Sequence, residues 1–164
     1  MTRRQFLGGA GGLVSALLGV WWAFRASGAA TASTEPFEVT KSEAEWRKLL
    51  TPEQFSVLRK HGTEPPGSSP LDKEFGPGTY LCAACALTLF SSETKYDSGT
   101  GWPSFWAPIE GAIRTSKDWT LLIPRTEVHC RRCGGHLGHV FPDGPKPTGL
   151  RYCMNGIALK FHRA

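Results

Sequence analysis

The chain has 164 residues, a length that suits one domain and a short leader. Hydrophobic residues make up 40% of it and aromatic residues 11%, which is ordinary for a chain that folds around a packed core. Nineteen glycines and twelve prolines predict many turns and little long helix. The net charge of +5 would suit a nucleic-acid partner, but Arg3, Arg4 and Arg25 lie at the start of the chain. The remaining residues carry only +2, so we expect no nucleic-acid partner.

The first 32 residues predict an export leader. Two arginines, followed by Gln5-Phe6-Leu7 and an uncharged stretch that ends at Phe24, are typical of a twin-arginine signal. Ala30-Thr31-Ala32 has the small-x-small pattern of a cleavage site. The alternative is an uncleaved inner-membrane anchor, because the apolar stretch has about the length that can just span a bilayer. Both alternatives place the folded domain in the periplasm, with membrane contact only if the leader is retained.

We predict a leader over residues 1–32, a tether over 33–39 and a folded domain over 40–164. The folded domain opens with two short helices. Ser42 and Glu45 have the spacing of a capping box, and Thr51-Pro52 starts the second helix with proline at its first position. The residues expected to be buried are Trp46, Leu49 and Leu50 in the first helix and Phe55 and Leu58 in the second, which Gly62 is expected to end.

The rest of the domain predicts short strands separated by turns. A loop over residues 61–78 with four prolines is long enough to wrap the domain or to serve its function. No amphipathic helix lies between the strand-like runs that follow, so we expect antiparallel pairing. These runs are 79–81, 120–123, 127–129, 139–141, 151–154 and 157–161. The predicted fold class is mainly β, a small antiparallel β-sheet domain with two short N-terminal helices.

Four of the five cysteines form two CxxC pairs, which are Cys82 with Cys85 and Cys130 with Cys133. Two such pairs supply the four sulfur ligands that Zn²⁺ takes in structural sites, so we predict one structural Zn²⁺ in this domain. A complete shell of four cysteines leaves no open coordination position, and the metal would hold the fold without taking part in chemistry. The alternative is one disulfide in each pair, since an exported protein can form disulfides.

The fifth cysteine, Cys153, is the candidate nucleophile. On a strand, Arg151, Cys153 and Asn155 share one face, while Tyr152 and Met154 share the other. A nearby fixed cation lowers the pKa of a thiol, and the thiolate is the nucleophilic form. The alternative is a buried cysteine that acts as a small apolar residue.

His136 and His139 lie three residues apart, with Asp143 beyond them. An imidazole titrates near neutral pH, so both histidines are candidates for proton transfer. They could also be metal ligands or ordinary polar residues. Because four cysteines are already available for a metal, we favour the role in proton transfer.

Three longer motifs stand in order along the chain: KYDSGTGWPSFW at 95–106, HLGHVFPDGP at 136–145 and RYCMN at 151–155. Together they closely resemble the B-type methionine sulfoxide reductases, and the likeness runs from about residue 40 to residue 161. The resemblance implies a small, mostly β domain with a zinc site made of four cysteines. It also implies a thiol-dependent oxidoreductase that reduces methionine-(R)-sulfoxide in proteins. The twin-arginine leader lies outside the resemblance and marks an exported version.

The resemblance also implies roles for the candidate residues. Cys153 would attack the sulfoxide sulfur and be left as a sulfenic acid. His139, with His136, would supply or position the protons that the sulfoxide oxygen gains. The implied substrate-binding residues are Trp102 as an apolar wall for the methyl group, Arg151 and Asn155 around the thiolate and reacting centre, and Asp143, which would orient Arg151 or a histidine.

Two positions depart from the family's pattern. Some members carry a resolving cysteine between the glycines of the Gly-x-Gly-Trp-Pro-Ser-Phe motif, where this chain has Thr100. No spare thiol remains, so we expect an external thiol reductant, of thioredoxin-like kind, in addition to oxidised protein substrates. The family usually has serine after the asparagine of the third motif, and Gly156 here is expected to loosen support for the active-site strand. We expect a monomer.

Two other functions compete with the reductase. A non-enzymatic zinc module that binds a protein partner would keep the four paired cysteines, but it leaves Trp102, His139 and Cys153 without a role. A thiol–disulfide oxidoreductase would need a reactive CxxC pair that is free of metal.

Overall fold

Two short helices open the described part of the chain, which in this computed structural model comprises residues 36–121 and 123–164. They are α1 (Glu43–Leu49) and α2 (Pro52–Lys60). Both begin at a capping box, in which Ser42 pairs with Glu45 in α1 and Thr51 pairs with Gln54 in α2. The helix starts predicted from the sequence are therefore confirmed.

The buried faces of the helices differ from the prediction at one residue. Trp46, Leu50, Phe55 and Leu58 are buried as predicted, but the side chain of Leu49 is 60% exposed. Helix α1 has only seven residues, and Leu50, four positions after Trp46, follows it onto the core face while Leu49 turns to solvent.

The end of α2 also differs from the prediction. The helix ends at Lys60, and His61, not Gly62, adopts the left-handed conformation that closes it, with φ of 56°. A left-handed backbone is unusual for a residue other than glycine. The hydrogen bond between the side chains of His61 and Glu127 helps to hold His61 in this conformation.

The predicted leader over 1–32 and the first residues of the predicted tether lie outside the described residues. The remainder of the tether, residues 36–39, contacts the domain. The ring of Phe37 packs edge-on against His129 at 5.8 Å, and the N–H of Val39 donates to the carbonyl of Arg132 at 3.0 Å. Among the described helices, none is long and apolar enough to cross a membrane.

Nine strands form two antiparallel sheets in the described residues. The strands are β1 (Gly78–Cys82), β2 (Thr88–Ser91), β3 (Lys95–Tyr96), β4 (Ser104–Phe105), β5 (Ile113–Asp118), β6 (Arg125–Cys130), β7 (His136–Phe141), β8 (Arg151–Met154) and β9 (Leu159–Arg163). The order is β2-β1-β9 in the smaller sheet and β3-β4-β8-β7-β6-β5 in the larger one. The predicted fold class, mainly β with antiparallel sheets and two helices, is confirmed.

Two of the predicted strands need correction. Thr120, Leu121 and Ile123 do not form a strand but lie in the connection between β5 and β6. Their apolar side chains suggested a strand, yet Leu121 and Ile123 are exposed and face no partner strand. The run predicted at 157–161 begins as a short 3-10 turn, Gly156–Ala158, and becomes strand β9 only at Leu159.

The two sheets meet through aromatic side chains. Phe90 of the smaller sheet stacks on Phe105 of the larger one with ring centroids 4.3 Å apart. Tyr80 also contacts Phe105, in an edge-to-face arrangement at 4.9 Å. All three residues are fully buried, and their contact fixes the smaller sheet against strand β4.

A glycine on β7 sets how closely this strand approaches β8. Gly138 pairs with Met154, and a Cβ atom at Gly138 would lie 2.1 Å from the carbonyl oxygen of Cys153. No side chain fits at that distance. The next pair in the register joins His139 to Cys153, so the glycine determines how near these two residues lie.

We expect Gly138→Ala to lower the free energy of unfolding by about 1–3 kcal/mol, because β8 must move to admit the methyl group. Chemical denaturation of the full-length chain measures this change. Gly111→Ala is the matched control, since Gly111 also has positive φ but no atom within 4 Å of its added methyl group. Equal losses in the two variants would show that backbone strain, and not the contact with β8, sets the cost.

Candidate active site

Cys153 lies on a central strand of the larger sheet, where β8 is flanked by β4 and β7. Its register partners are Ser104 on β4 and His139 on β7. A cavity of about 130 Å³ opens beside it. The residues that line this cavity are Thr63, Trp102, Arg125, Gly138, His139, Phe141, Cys153 and Asn155. Four of the predicted site residues therefore meet at one small cavity.

A larger groove, of about 1060 Å³, lies between α2 and β9 and shares Thr63 with the cavity. It holds neither Cys153 nor a histidine, so the small cavity is the better candidate for chemistry.

The thiol of Cys153 is more shielded than the sequence suggested. Burial raises its pKa above the ordinary value, and the Thr100 hydroxyl and the Arg151 charge only partly oppose this rise. The Oγ1 atom of Thr100 lies 3.9 Å from Sγ of Cys153. Arg151 thus acts in the expected direction, but burial outweighs it and the resting group is a thiol.

Arg151 is bound by a carboxylate outside the cavity. Its Nε and one terminal nitrogen donate to the two oxygens of Asp143 at 2.9 and 2.7 Å. Asp143 therefore contacts Arg151 and not a histidine, which decides between the two partners considered from the sequence. The pair holds the guanidinium at the start of β8, two residues before Cys153.

Each candidate histidine is paired with a carboxylate that the sequence did not single out. The Nε2 atom of His139 lies 2.7 Å from Oδ2 of Asp118, and Nδ1 of His136 lies 2.7 Å from Oε1 of Glu127. Burial lowers the pKa of His139, while the hydrogen bond to Asp118 raises it. His136 does not line the cavity with Cys153, although its ring packs against that of His139 at 5.5 Å.

A second cluster joins His61, Glu127 and His136 beside a second pocket, which shares His139 and Arg125 with the Cys153 cavity. Both imidazoles direct Nδ1 to the same carboxylate oxygen, at 2.8 and 2.7 Å. Burial would raise the pKa of Glu127, but the hydrogen bond and charge of His136 and the charge of His61 lower it to about 2. The donor atoms are close enough to hold a metal ion, but these hydrogen bonds already satisfy the carboxylate oxygen. The cations that line the same pocket, and would repel a metal, are Lys60, Lys117 and Arg125.

Trp102 and Asn155 are both tied to one residue of the preceding loop. The indole N–H of Trp102 donates to the carbonyl of Glu64 at 3.1 Å, and the N–H of Glu64 donates to Oδ1 of Asn155 at 2.9 Å. Asn155 also donates to the carbonyl of Leu137 at 3.1 Å. Both the oxygen and the nitrogen of the Asn155 amide therefore bond to backbone groups, which are the N–H of Glu64 and the carbonyl of Leu137.

Gly156 does not leave a gap after the asparagine. A Cβ atom at Gly156 would lie 2.1 Å from Oγ and 2.4 Å from Cβ of Ser69. The side chain of Ser69 already fills the space that a serine at position 156 would need. The expected loosening of the active-site strand is therefore not seen in the packing.

The four paired cysteines come together away from the Cys153 cavity. All five cysteines are free thiols, so neither CxxC pair forms a disulfide. Sγ of Cys82 lies 3.7 Å from that of Cys133, and Sγ of Cys85 lies 3.5 Å from that of Cys130. Sulfurs around one tetrahedral Zn²⁺ lie about 3.8 Å apart, from a Zn–S bond of about 2.3 Å. The four thiols therefore fit a metal ion.

The two CxxC turns have the same backbone form. The carbonyl of Cys82 accepts from the N–H of Ala86, and the carbonyl of Cys130 accepts from the N–H of Gly134, each at 2.9 Å. Ala86 and Gly134 both have positive φ, of 57° and 67°. Each turn thus directs its two sulfurs inward, and the two turns face each other.

We expect Asp118→Asn to lower the pKa of His139 further. The substitution removes the main interaction that opposes burial, and it leaves Arg125, whose charge also lowers this pKa, without its carboxylate partner. NMR titration of the histidine ring protons in the full-length chain measures the shift. Glu127→Gln is the control, because it removes the partner of His136 and not that of His139. A raised pKa of His139 in Asp118→Asn would contradict this account of its environment.

Comparison with known proteins agrees with this geometry. The family model described as the SelR domain matches residues 50–163. Relatives named "Peptide methionine sulfoxide reductase MsrB" include those of Leptospira interrogans, with 55% identity over 77% of this chain and 98% of the relative, and Agrobacterium fabrum, with 54% identity over 76% and 93%. The relative of that name in Methanosarcina barkeri is 56% identical over 75% of this chain and 87% of its own length. The chain carries a SelR domain and therefore belongs to the MsrB family.

Proposed function

We propose that the protein is a peptide-methionine (R)-S-oxide reductase that repairs oxidised proteins with Cys153 as its nucleophile. The observation that carries the proposal is the cavity in which Cys153 lies opposite His139 and beside Trp102. The names of the relatives support a reductase of methionine sulfoxide. The R epimer and the sulfenic acid intermediate rest on the resemblance of the motifs to the B-type enzymes.

The raised pKa of Cys153 and the lowered pKa of His139 suggest how the proton moves. At neutral pH the cysteine is a thiol and the imidazole is neutral. His139 can therefore take the thiol proton as Cys153 attacks the sulfoxide sulfur, and then give that proton to the oxygen. Asp118 stabilises the transient imidazolium through its hydrogen bond to Nε2.

This step balances without a further reactant. The attack forms a transient bond between the two sulfurs, and this bond breaks as the oxygen passes from the substrate sulfur to Cys153. One S–O bond thus breaks and one forms, so the cysteine is oxidised by two electrons and the methionine sulfur is reduced. The thiol proton ends on the oxygen as the sulfenic acid forms. His136 packs against His139 and would hold its ring, with Glu127 fixing His136 in turn.

The other site residues would position the substrate. The half-buried ring of Trp102 offers an apolar wall for the methyl group on sulfur, and its fixed N–H keeps the ring in place. Asn155 is committed to the backbone, so it would shape the cavity and not bond freely to the substrate. Arg151, held by Asp143, would stabilise the thiolate as it forms.

We further propose that the metal at the four paired cysteines is one structural Zn²⁺. The ligands would be Cys82, Cys85, Cys130 and Cys133, and four thiolates are a common donor set for structural zinc. With no open coordination position, the ion supplies no step of the reaction. It would tie the turn after β1 to the turn after β6.

Regeneration would need a thiol from another molecule. The residue nearest the resolving position is Thr100, whose hydroxyl lies beside Cys153, and the other four cysteines form the metal site. A dithiol reductant of thioredoxin-like kind would first form a mixed disulfide with Cys153 and then release it, with the sulfenic oxygen leaving as water. We propose export to the periplasm on the basis of the twin arginine alone, with an inner-membrane anchor as the alternative.

The reductase proposal predicts stereospecific turnover by the full-length chain. With dithiothreitol and a short peptide that carries both sulfoxide epimers, we expect the R epimer to disappear and the S epimer to remain, as followed by chiral chromatography. Cys153→Ser should abolish turnover while the protein stays folded. Without reductant, we expect one methionine per chain and a dimedone-reactive Cys153.

The alternatives give different results in the same assay. No loss of either epimer with folded, metal-loaded protein would rule out the reductase and favour a binding module. Turnover that survives Cys153→Ser would exclude this nucleophile.

The zinc proposal predicts one zinc per chain in the purified full-length protein. Cys130→Ser should lose the metal and lower the melting temperature by roughly 10 °C or more, since zinc binding contributes directly to folding. Elemental analysis and thermal denaturation measure both effects. Cys153→Ser is the matched control and should keep its zinc. Metal-free protein with two disulfides would contradict the proposal.

A further inference from the structure

One residue of the long loop makes four hydrogen bonds around the candidate active site. Glu64 is only 8% exposed, although it lies in the connection between α2 and β1. Its carboxylate oxygens accept from the N–H groups of Gly156 at 2.5 Å and Ile157 at 2.9 Å. Its backbone carbonyl and N–H bind Trp102 and Asn155. A single residue thus connects both walls of the cavity and the turn that follows strand β8.

The side chain and the backbone of Glu64 have separate tasks. Only the backbone of Glu64 contacts Trp102 and Asn155. A substitution of the side chain therefore keeps the carbonyl that accepts from Trp102 and the N–H that donates to Asn155. The carboxylate alone fixes the backbone that immediately follows Asn155. Without the carboxylate, the Gly156–Ile157 turn loses two hydrogen bonds, and the end of strand β8 is held to the Trp102 segment only by backbone contacts such as that from the N–H of Met154 to the carbonyl of Pro103.

We propose that Glu64 is a positioning residue of the reductase site, whose carboxylate clamps the Gly156–Ile157 turn and thereby fixes Trp102 relative to Cys153 and Asn155. The inference rests on the proposed function and deepens it. Glu64 does not line the cavity, and it would act on the substrate only through these residues.

Two adjacent N–H groups require a carboxylate at this position. An ionised glutamate offers an oxygen to each of them, whereas glutamine has one oxygen and places an NH₂ group against the second donor. Burial raises the pKa of Glu64, and the hydrogen bonds from the Ile157 and Gly156 N–H groups oppose that rise. The two hydrogen bonds thus offset part of the free-energy cost of burying this carboxylate.

The packing around the turn brings Ser69 and Glu64 to the same side of Gly156. A Cβ atom at Gly156 would lie 3.3 Å from Oε1 of Glu64 and far inside contact distance of Ser69. Glycine at this position lets Ser69 and the carboxylate approach the turn from the same side. Ser69 makes the closer contact, and the carboxylate would have to shift only slightly for a side chain at 156.

The test is Glu64→Gln in the full-length chain, with kcat and KM measured on the peptide that carries the R epimer. Rates are expressed per Cys153 thiol titrated in the folded, zinc-loaded protein. We expect kcat/KM to fall roughly ten- to hundredfold, with KM raised as well as kcat lowered, since a small displacement of the site has effects of this size. Loss of folded enzyme alone would lower the titrated thiol and leave KM unchanged.

Glu74→Gln is the matched control. Glu74 lies in the same loop, and its Oε1 accepts from the N–H of Gly76 at 2.7 Å, but it contacts no residue of the cavity. We expect kcat/KM within about twofold of the original chain. A second variant, Glu64→Asp, keeps the charge and should retain more activity than Glu64→Gln.

Three outcomes would overturn the inference. They are equal kinetics in Glu64→Gln and the original chain, equal losses in Glu64→Gln and Glu74→Gln, and failure of both Glu64 variants to fold, which would make the residue structural. An original chain that reduces neither epimer would instead refute the proposed function, so the two failures are distinguishable.

Discussion

The site depends on the register between strands β7 and β8. In an antiparallel pair a shift of one residue turns every side chain to the opposite face, so His139 meets Cys153 only because Gly138 pairs with Met154. The close approach of the strands at Gly138 strengthens this constraint, since the carbonyl of Cys153 occupies the place of a side chain. The aromatic contacts between the sheets act on β4, and one CxxC turn follows β6; these two strands flank β8 and β7 in the larger sheet. The chemistry therefore rests on a backbone arrangement that several independent contacts define.

Buried ionisable groups determine the protonation states around the Cys153 cavity. Three carboxylates that do not line the Cys153 cavity, Asp118, Glu127 and Glu64, fix His139, His136 and the turn after β8. Burial alone would favour the neutral form of each. Hydrogen bonds and nearby positive charge lower the pKa of Asp118 and of Glu127, whereas at Glu64 burial outweighs the two hydrogen bonds and the pKa is raised. At Cys153, the proposed nucleophile, burial also outweighs the charge of Arg151, and the raised pKa keeps the thiol protonated. A neutral imidazole beside a protonated thiol is an arrangement in which the proton can move with the attack instead of before it.

Local patterns predicted a large part of this structure. The capping boxes, the CxxC pairs and strand β8 depend on residues close in sequence, and all were predicted correctly. Strands β3 and β4 have two residues each and offer no periodic signal, while β5 is polar over most of its length. The connection after β5 has apolar side chains that mimic a strand although they face solvent. Partners such as Glu64 and Asn155 lie 91 residues apart, and only the folded chain shows that they touch.

Ser69 and Gly156 pack so closely that a substitution at one position requires a substitution at the other. A serine at position 156, which the resemblance makes the usual residue, would collide with Ser69 unless that side chain were first removed. Either single replacement leaves a clash or an empty space, whereas the double replacement can restore the packing, so their effects on stability should not add. Variation within this family at the residue after the asparagine is therefore expected to accompany variation in the proline-rich loop.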